Sequence, residues 1–266
     1  MHTKKLKGPI ADLDVKHRSL LFAELATLAY TEKDNATKEA KKLGFTTVEY
    51  YNIAGAQAYR FMNKVDFVIA CRGTEPTQFN DIKADLNAIP TKSETVSYVH
   101  SGFKEEVDKI WPRLVDDISR EADKRTVWFC GHSLGAAMAT IVASRCTGSK
   151  DCPNPAELYT YGSPRVGFKK YVKSEPITHY RWVNNNDIVT RVPMWIMGYR
   201  HDGERMYLNT YGNVRKMGKW QRFKDRWRGL WLGIKKGKID SFSDHSMTNY
   251  VDYINTWAEG KENPQK

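Results

Sequence analysis

The spacing of hydrophobic residues predicts helices and strands along most of the chain. Residues 19–30 and 100–122 carry apolar side chains at helical spacing and predict amphipathic helices, and the Lys-rich stretch after the first is interpreted as a connection. Short runs rich in β-branched and aromatic residues predict strands, namely TVEYY, QAYRF, DFVIAC, RTVWFC, AELYTYG, ITHYRWVNN and RMYLN. Helices and strands alternate after residue 74, which predicts an α/β fold with a mostly parallel sheet between two helical layers.

The composition favours a single folded unit. No Pro-, Gly- or Ser-rich linker divides the 266 residues, so we expect one domain over residues 1–266. The 41% of hydrophobic residues is enough for a substantial core. Residues 1–9 contain three lysines, and no apolar run follows them. No apolar stretch of the sequence reaches the length of a membrane span. We therefore expect a soluble, cytoplasmic protein.

A serine lies between two glycines where a predicted strand meets a predicted helix. The strand TVWFC is followed by Gly131-His132-Ser133-Leu134-Gly135 and then by a helix of small residues. This is the layout of a nucleophile elbow, in which the serine occupies a strained turn and the glycines let neighbouring backbone approach. The N–H of Leu134, at the start of the helix, is the natural first donor to an oxyanion. A turn that only caps a helix is the weaker interpretation, because both flanks match the elbow.

A nucleophilic serine needs a base and an acid, and in such hydrolases both follow the serine along the chain, with the acid first. Asp187 is the candidate acid because it follows a predicted strand, at the end of the stretch NNND. This stretch could also be a simple polar turn. His245 fits the base because it lies in a loop before the last amphipathic helix. His201 lies beside a hairpin-like turn and is interpreted as structural. The predicted triad is Ser133, Asp187 and His245.

Six stretches of the chain carry a resemblance to a known family. They run in family order from about residue 65 to 250 and are FVIACRGT, VHSGF, GHSLGAAMA, YTYGSPRVG, VNNNDIVTRVP and SDHSMTNY. With them the chain resembles the class 3 lipases, the fungal-lipase-like branch of the α/β-hydrolase fold. The resemblance implies the same triad, a second oxyanion donor at Thr74, hydrolysis of carboxylic esters, and no metal or organic cofactor. Secreted fungal members have signal peptides and several disulfides, and we expect neither in this sequence.

The same resemblance implies a lid between Thr74 and the VHSGF stretch. Here the lid would occupy residues 75–95. Its apolar residues recur on one helical face and are Phe79, Ile82, Leu86 and Ile89. Opening of such a helix would expose an apolar surface to a lipid interface and uncover the acyl site. A fixed surface helix whose apolar side is always buried is the alternative.

Most of the net charge of +11 comes from one segment near the C-terminus. Residues 215–238 contain ten Lys or Arg and one acid, Asp225, so the rest of the chain is close to neutral. Within the wider insert 213–240, aromatic residues recur at near-helical spacing and are Trp220, Phe223, Trp227 and Trp231. Such a helix suits peripheral contact with an anionic membrane surface, although its aromatic side could equally pack on the protein. Nucleic acid is not expected as a partner, because no recognised binding module accompanies the charge.

The four cysteines indicate neither a disulfide framework nor a zinc site. They are too few and too scattered for the first, and their spacings do not match the second. Cys146 and Cys152 flank TGSKD, a loop-like segment that a disulfide would close in an oxidising compartment.

These features predict a lipase or carboxylesterase that hydrolyses carboxylic esters, acylglycerols first among them, through an acyl-enzyme on Ser133. A short-chain esterase and a phospholipase are the alternatives among enzymes. A different class of protein is a non-catalytic membrane-binding protein that uses the basic insert on an inactive hydrolase scaffold. The complete set of Ser, Asp and His argues against that class.

Overall fold

The computed structural model describes residues 1–73, 89–174, 176–235 and 243–264. Within these residues the strands form two β-sheets. Their strands are Thr47–Ile53 (β1), Ala56–Met62 (β2), Asp66–Cys71 (β3), Pro90–Lys92 (β4), Tyr98–His100 (β5), Thr126–His132 (β6), Glu157–Tyr161 (β7), Gly167–Phe168 (β8), Thr178–Asn184 (β9), Tyr199–Arg200 (β10) and Glu204–Leu208 (β11). The larger sheet has the order β1-β2-β3-β6-β7-β9-β11, and the smaller sheet has the order β10-β8-β5-β4.

The larger sheet changes from antiparallel to parallel pairing at β3. Strands β1, β2 and β3 pair antiparallel as consecutive neighbours. From β3 onward, β6, β7, β9 and β11 pair in parallel, with Ala70 opposite Cys130 and Cys130 opposite Tyr159. Parallel neighbours need crossover connections, and helices lie in those from β6 to β7 and from β7 to β9. The prediction of a mostly parallel sheet covered by helices is confirmed.

Helices cover both faces of the larger sheet. In the described part of the chain they are Val15–Leu28 (α1), Lys33–Leu43 (α2), Ser101–Glu121 (α3), Leu134–Gly148 (α4), Lys169–Ser174 (α5), Lys219–Lys235 (α6) and Met247–Ala258 (α7). On one face α1 packs against α7, and on the other α3 packs against α4. Strand β3 is fully buried because Val68 and Ala70 join the first of these layers while Phe67 and Ile69 join the second. None of the described helices is both long and apolar enough to cross a bilayer.

The Lys-rich stretch after α1 is a helix, so its interpretation as a connection is wrong. Helix α2 buries Ala36, Ala40 and Leu43, which share one face, and leaves its lysines in solvent. Gly44, with φ +102°, ends the helix in a left-handed conformation. The buried face is narrow and consists mainly of alanine, so the apolar period is weak against the many charged residues.

Only the last part of the predicted lid, residues 75–95, is described. Ile89 is 57% exposed, and its carbonyl oxygen accepts the N–H of Ser101 at 2.9 Å. Residues 90–92 then form β4, which pairs antiparallel with β5. The helical spacing therefore does not extend through residues 90–92, because this part of the stretch is a strand. The predicted residues that lie outside the described part are Thr74, Phe79, Ile82 and Leu86.

All four cysteines are buried and carry free thiols. Cys146 and Cys152 approach each other within hydrogen-bonding distance, and this contact together with burial raises the pKa of the Cys146 thiol well above its usual range. The two ends of the TGSKD segment therefore meet through a thiol contact.

Candidate active site

Ser133 occupies the turn between β6 and α4. Its backbone has φ 58° and ψ −129°, which is strained for a residue with a side chain. Its N–H donates to the carbonyl oxygen of Tyr161 at 3.0 Å, and the residue is 2% exposed. A Cβ atom at Gly131 would collide with the backbone of Gly135, and one at Gly135 would collide with the carbonyl oxygen of Cys71. The two glycines are therefore required by the close approach of β3, β6 and α4.

Asp187 and His245 form a buried pair. Asp187 lies just beyond β9, and His245 lies in the short turn Ser243–His245 before α7. The Nδ1 atom of His245 is 3.0 Å from each carboxylate oxygen of Asp187, and the two side chains are 3% and 0% exposed. Since a carboxylate can only accept here, Nδ1 carries the hydrogen and Nε2 carries the lone pair of the neutral imidazole. An imidazole held in this tautomer can take up a proton at Nε2.

Two further donors hold the Asp187 carboxylate. The hydroxyl of Tyr250 donates to Oδ2 at 2.7 Å, and the N–H of Val189 donates to Oδ1 at 2.9 Å. Burial and the adjacent carboxylate raise the pKa of Tyr250 well above its usual value, so the hydroxyl remains a donor. Sequence reasoning missed Tyr250. Its position on the buried face of α7, together with Met247 and Ile254, was the available signal.

Gly162 brings the Ser133 turn against the Asp187–His245 pair. It follows Tyr161, whose carbonyl oxygen accepts the N–H of Ser133. Its φ is +60°, and a Cβ atom at this position would lie 2.7 Å from His245 Nδ1 and 2.8 Å from Asp187 Oδ2. The pair can approach the end of β7 this closely only because residue 162 has no side chain.

His132, next to the serine in sequence, forms one wall of the His245 site. The two imidazoles stack with centroids 4.4 Å apart, and His132 Nε2 lies 2.8 Å from the carbonyl oxygen of His245. Burial, with a smaller contribution from His245, lowers the pKa of His132 well below its usual value, so the ring is neutral. A neutral ring that donates through Nε2 accepts through Nδ1, where the Tyr30 hydroxyl lies 3.0 Å away. This supporting role was not predicted.

One of the two candidate oxyanion donors, Leu134, lies at the serine turn. Leu134 is the first residue of α4, which places its N–H at the amino end of that helix. Thr74 is outside the described residues, but Gly73 precedes it and is placed. A Cβ atom at Gly73 would lie 2.8 Å from the carbonyl oxygen of His132 and 3.1 Å from the backbone nitrogen of Gly135. The chain therefore passes directly against the elbow one residue before Thr74. Donation by Leu134 and Thr74 stays a prediction.

Two other histidines, His201 and His179, have structural partners. His201 Nε2 lies 2.8 Å from the carbonyl oxygen of Thr190. His179, within β9, lies 2.7 Å from the Thr160 hydroxyl and 3.0 Å from Asp202. Burial lowers the pKa of both imidazoles. Among the described residues, no group of three or more His, Cys, Asp or Glu side chains is placed to hold a metal ion.

The aromatic residues of α6 face solvent. Their exposed fractions are 65% for Trp220, 50% for Phe223, 55% for Trp227 and 58% for Trp231. The interpretation in which this stripe packs on the protein is therefore wrong. The face that does pack on the protein carries few apolar side chains, which explains why spacing alone could not identify it.

Helix α6 is anchored through Asp225 and Gly229. The carboxylate of Asp225 is buried and accepts from the Tyr207 hydroxyl at 3.0 Å and from the N–H of Thr210 at 3.0 Å. A Cβ atom at Gly229 would collide with the side-chain amide of Asn185, two residues before Asp187. The helix therefore rests directly on the turn that carries the acid of the predicted triad.

Comparison with known proteins gives a family match and several relatives of this chain. Residues 68–197 match the family model of class 3 lipases. Toxin TseL of Vibrio cholerae is 30% identical over 194 residues, which cover 56% of this chain and 30% of the toxin. Secreted mono- and diacylglycerol lipase 1 of Fusarium solani is 35% identical over 117 residues, which cover 42% of this chain and 34% of that protein. The match thus spans about a third of the length of these curated relatives.

A solved structure supports the fold independently. The triacylglyceride lipase of Rhizomucor miehei superposes with a TM-score of 0.63 at 22% identity, covering 74% of this chain and 81% of that one. The described architecture is therefore the α/β-hydrolase fold of the fungal lipases. The match of residues 68–197 to the family model of class 3 lipases agrees with this fold.

Proposed function

We propose that the chain is a serine hydrolase of carboxylic esters that works as one domain, with Ser133 as nucleophile, His245 as base and Asp187 as acid. The observation that carries the proposal is the buried Asp187–His245 pair, which lies against the end of β7 at Gly162 while the preceding residue, Tyr161, holds the Ser133 turn. A strained serine beside an imidazole of fixed tautomer is the arrangement that activates a hydroxyl.

The reaction runs in two halves. Ser133 Oγ attacks the ester carbonyl carbon as its proton moves to His245 Nε2, and Asp187 stabilises the imidazolium. The N–H groups of Leu134 and Thr74 bind the negative oxygen of the tetrahedral intermediate. Collapse of the intermediate expels the alcohol, which takes the proton from His245, and leaves an acyl group on Ser133. Water then attacks the acyl carbon as His245 Nε2 takes its proton, the bond to Ser133 Oγ breaks, and His245 returns the proton to Oγ as the carboxylic acid leaves.

Acylglycerols are the proposed substrates. The Fusarium and Rhizomucor proteins are named as acylglycerol lipases, and both resemble this chain. A short-chain esterase and a phospholipase use the same chemistry and differ in the acyl and head-group sites. No metal ion or organic cofactor takes part in the proposed reaction.

Hydrolysis of a substrate panel tests the proposal. The panel contains p-nitrophenyl esters from acetate to palmitate, mono-, di- and triacylglycerols, and a phosphatidylcholine. We expect hydrolysis of acylglycerols by the full chain and a loss of at least about 10³-fold in Ser133→Ala, because the nucleophile is removed. Ser174→Ala, which changes the last residue of α5, is the matched control and should keep full activity. Acylglycerol hydrolysis that survives Ser133→Ala contradicts the mechanism, and activity on short esters or phospholipid alone contradicts the substrate class.

We also propose that residues 75–95 form a lid. Support comes from the apolar pattern of Phe79, Ile82, Leu86 and Ile89 and from the high exposure of Ile89. Turnover of one ester should rise when its concentration passes the point of aggregation. Equal specific activity below and above that point would argue against the lid.

A second proposed function is contact between α6 and an anionic membrane surface. The four exposed aromatic residues of α6 and the charge of residues 215–238 favour it. Binding of Ser133→Ala to vesicles that contain phosphatidylglycerol should weaken at least about fivefold when Trp227→Ser and Trp231→Ser are added. If binding were found without any ester hydrolysis by the unmodified chain, the non-catalytic class of protein would be the correct one.

A further inference from the structure

A second exposed apolar segment lies in the turn formed by residues 194–197. Its exposed fractions are 54% for Met194, 63% for Trp195, 65% for Ile196 and 45% for Met197. Four consecutive large apolar side chains at this exposure form a patch of the kind that marks an interaction surface. The turn follows the Asp187 loop along the chain, and neither the family resemblance nor the charge pattern pointed to it.

The turn is held by hydrogen bonds of its backbone while its side chains stay outside. The N–H of Met197 donates to the carbonyl oxygen of Met194 at 3.0 Å. Arg200 donates to the carbonyl oxygen of Trp195 at 2.7 Å. Gly198, with φ +93°, closes the turn against the ring of Phe168. The apolar side chains therefore project from a fixed backbone.

Polar contacts connect this turn to α6. Arg165 donates to the carbonyl oxygens of Arg191 and of Pro193, the latter at 2.7 Å. Arg191 donates to Asn186 Oδ1 at 2.9 Å, and the amide of Asn186 donates to the carbonyl oxygen of Arg226, on α6, at 3.0 Å. A series of polar contacts that includes arginines therefore links the turn to α6.

Four arginines near the turn and α6 bind oxygen atoms of backbone and amide groups. Within the described residues, Arg165, Arg191, Arg200 and Arg226 make no ion pair with a carboxylate, and each donates to a backbone or amide oxygen instead. Burial, followed by repulsion from Arg200, lowers the pKa of Arg165. Burial and repulsion from Arg226 also lower the pKa of Arg191, against the opposing effect of Asp187 and Asp244. A group of cations that repel each other and lack internal partners favours the binding of external anions.

We propose that residues 194–197 and the aromatic stripe of α6 together dock the protein on a bilayer of anionic phospholipid, with the arginines between them bound to lipid phosphates. The charge decides the occupant: residues 215–238 carry ten cations against one acid, and together with Arg165, Arg191 and Arg200 they complement a surface dense in phosphate. Tryptophan and isoleucine side chains that lie between cations can insert at the level of the lipid headgroups. There the rings and methyl groups are removed from water, while the guanidinium groups stay near the phosphates. Docking in this way places the Asp187 loop, on which α6 rests, next to the lipid.

Vesicle binding of the full chain carrying Ser133→Ala tests the proposal apart from ester hydrolysis. The vesicles are phosphatidylcholine alone or phosphatidylcholine with 30% phosphatidylglycerol. We expect binding to the anionic vesicles and a loss of at least about tenfold in affinity on adding Trp195→Ser and Ile196→Ser. Ile53→Ser, which changes an exposed apolar residue on β1 at the far edge of the larger sheet, is the matched control and should bind normally.

A second set of variants removes positive charge without changing the apolar side chains. Arg165→Gln and Arg200→Gln should each weaken binding to anionic vesicles by about fivefold and leave binding to phosphatidylcholine unchanged, since one cation near such a surface contributes about 1 kcal/mol. Melting temperatures confirm that the variants are folded. Equal binding of the Trp195→Ser, Ile196→Ser variant and the control overturns the proposal. So does a dimer of the unmodified chain in solution that these two substitutions dissociate, because the turn would then be an interface between copies.

Discussion

Replacement of Gly162 by alanine is expected to displace the catalytic side chains while the protein stays folded. The new Cβ atom would lie 2.7 Å from His245 Nδ1, which is 0.7 Å short of the 3.4 Å at which ordinary contact begins. The imidazole and the carboxylate of Asp187 would both have to move by about this distance. A displacement on the order of 1 Å in a catalytic group can cost about 100-fold in rate. We therefore expect kcat on a soluble p-nitrophenyl ester to fall by about 100-fold.

The same substitution also places alanine at positive φ, and this effect needs its own control. Gly260 has φ +70°, close to the +60° of Gly162, but a Cβ atom at Gly260 would meet nothing within 4 Å. Both alanine variants should lose about 1–2 kcal/mol of unfolding free energy from backbone strain. Only Gly162→Ala should lose activity. If folded Gly162→Ala kept kcat within about threefold of the unmodified enzyme, the inferred packing of the pair on β7 would be refuted.

Three further predictions concern buried polar groups. Tyr250→Phe removes the 2.7 Å donor to Asp187 and should lower kcat/KM about tenfold, whereas unchanged kinetics would show that the hydroxyl does not position the acid. Burial lowers the pKa of His100 to about 4. Below pH 6.5 the imidazole therefore binds a proton in the unfolded chain but not in the folded protein. Up to about 3 kcal/mol of the unfolding free energy present above pH 6.5 should be lost by pH 4. Urea unfolding across that range should show a flatter pH dependence for His100→Phe, and an unchanged slope would contradict this origin. Asp225→Ala leaves the Tyr207 hydroxyl and the Thr210 N–H without their acceptor and should speed amide hydrogen exchange across α6, whereas unaltered exchange would mean that Asp225 is not the anchor.

The parts of the site that could be predicted from sequence depend on local requirements. The Ser133 turn needs glycines two residues away on each side, a strand before it and a helix after it, and all of these are visible within one short stretch. Asp187 and His245 are 58 residues apart. Chain order left His201 and His245 as candidate bases, and the position of each in its predicted loop selected His245.

The rest depends on which elements become neighbours in space. Gly162 and His132 touch the imidazole because β6 and β7 are adjacent and His245 returns over their ends, which no local pattern encodes. Likewise, the spacing of the aromatic residues on α6 shows that they share a face but not whether that face is buried. The buried partners of Asp225 decide the orientation of the helix, and Tyr207 and Thr210 come from a different part of the chain.

Labelling with a fluorophosphonate, followed by peptide mapping, tests most directly whether the serine is activated by the buried pair. We expect a single adduct on Ser133, none in Ser133→Ala, and a labelling rate at least about 100-fold lower in His245→Ala, because a fluorophosphonate reacts with an activated serine hydroxyl. An adduct on another residue, or full-speed labelling of Ser133 without the His245 imidazole, would contradict the assignment of these residues as one catalytic unit.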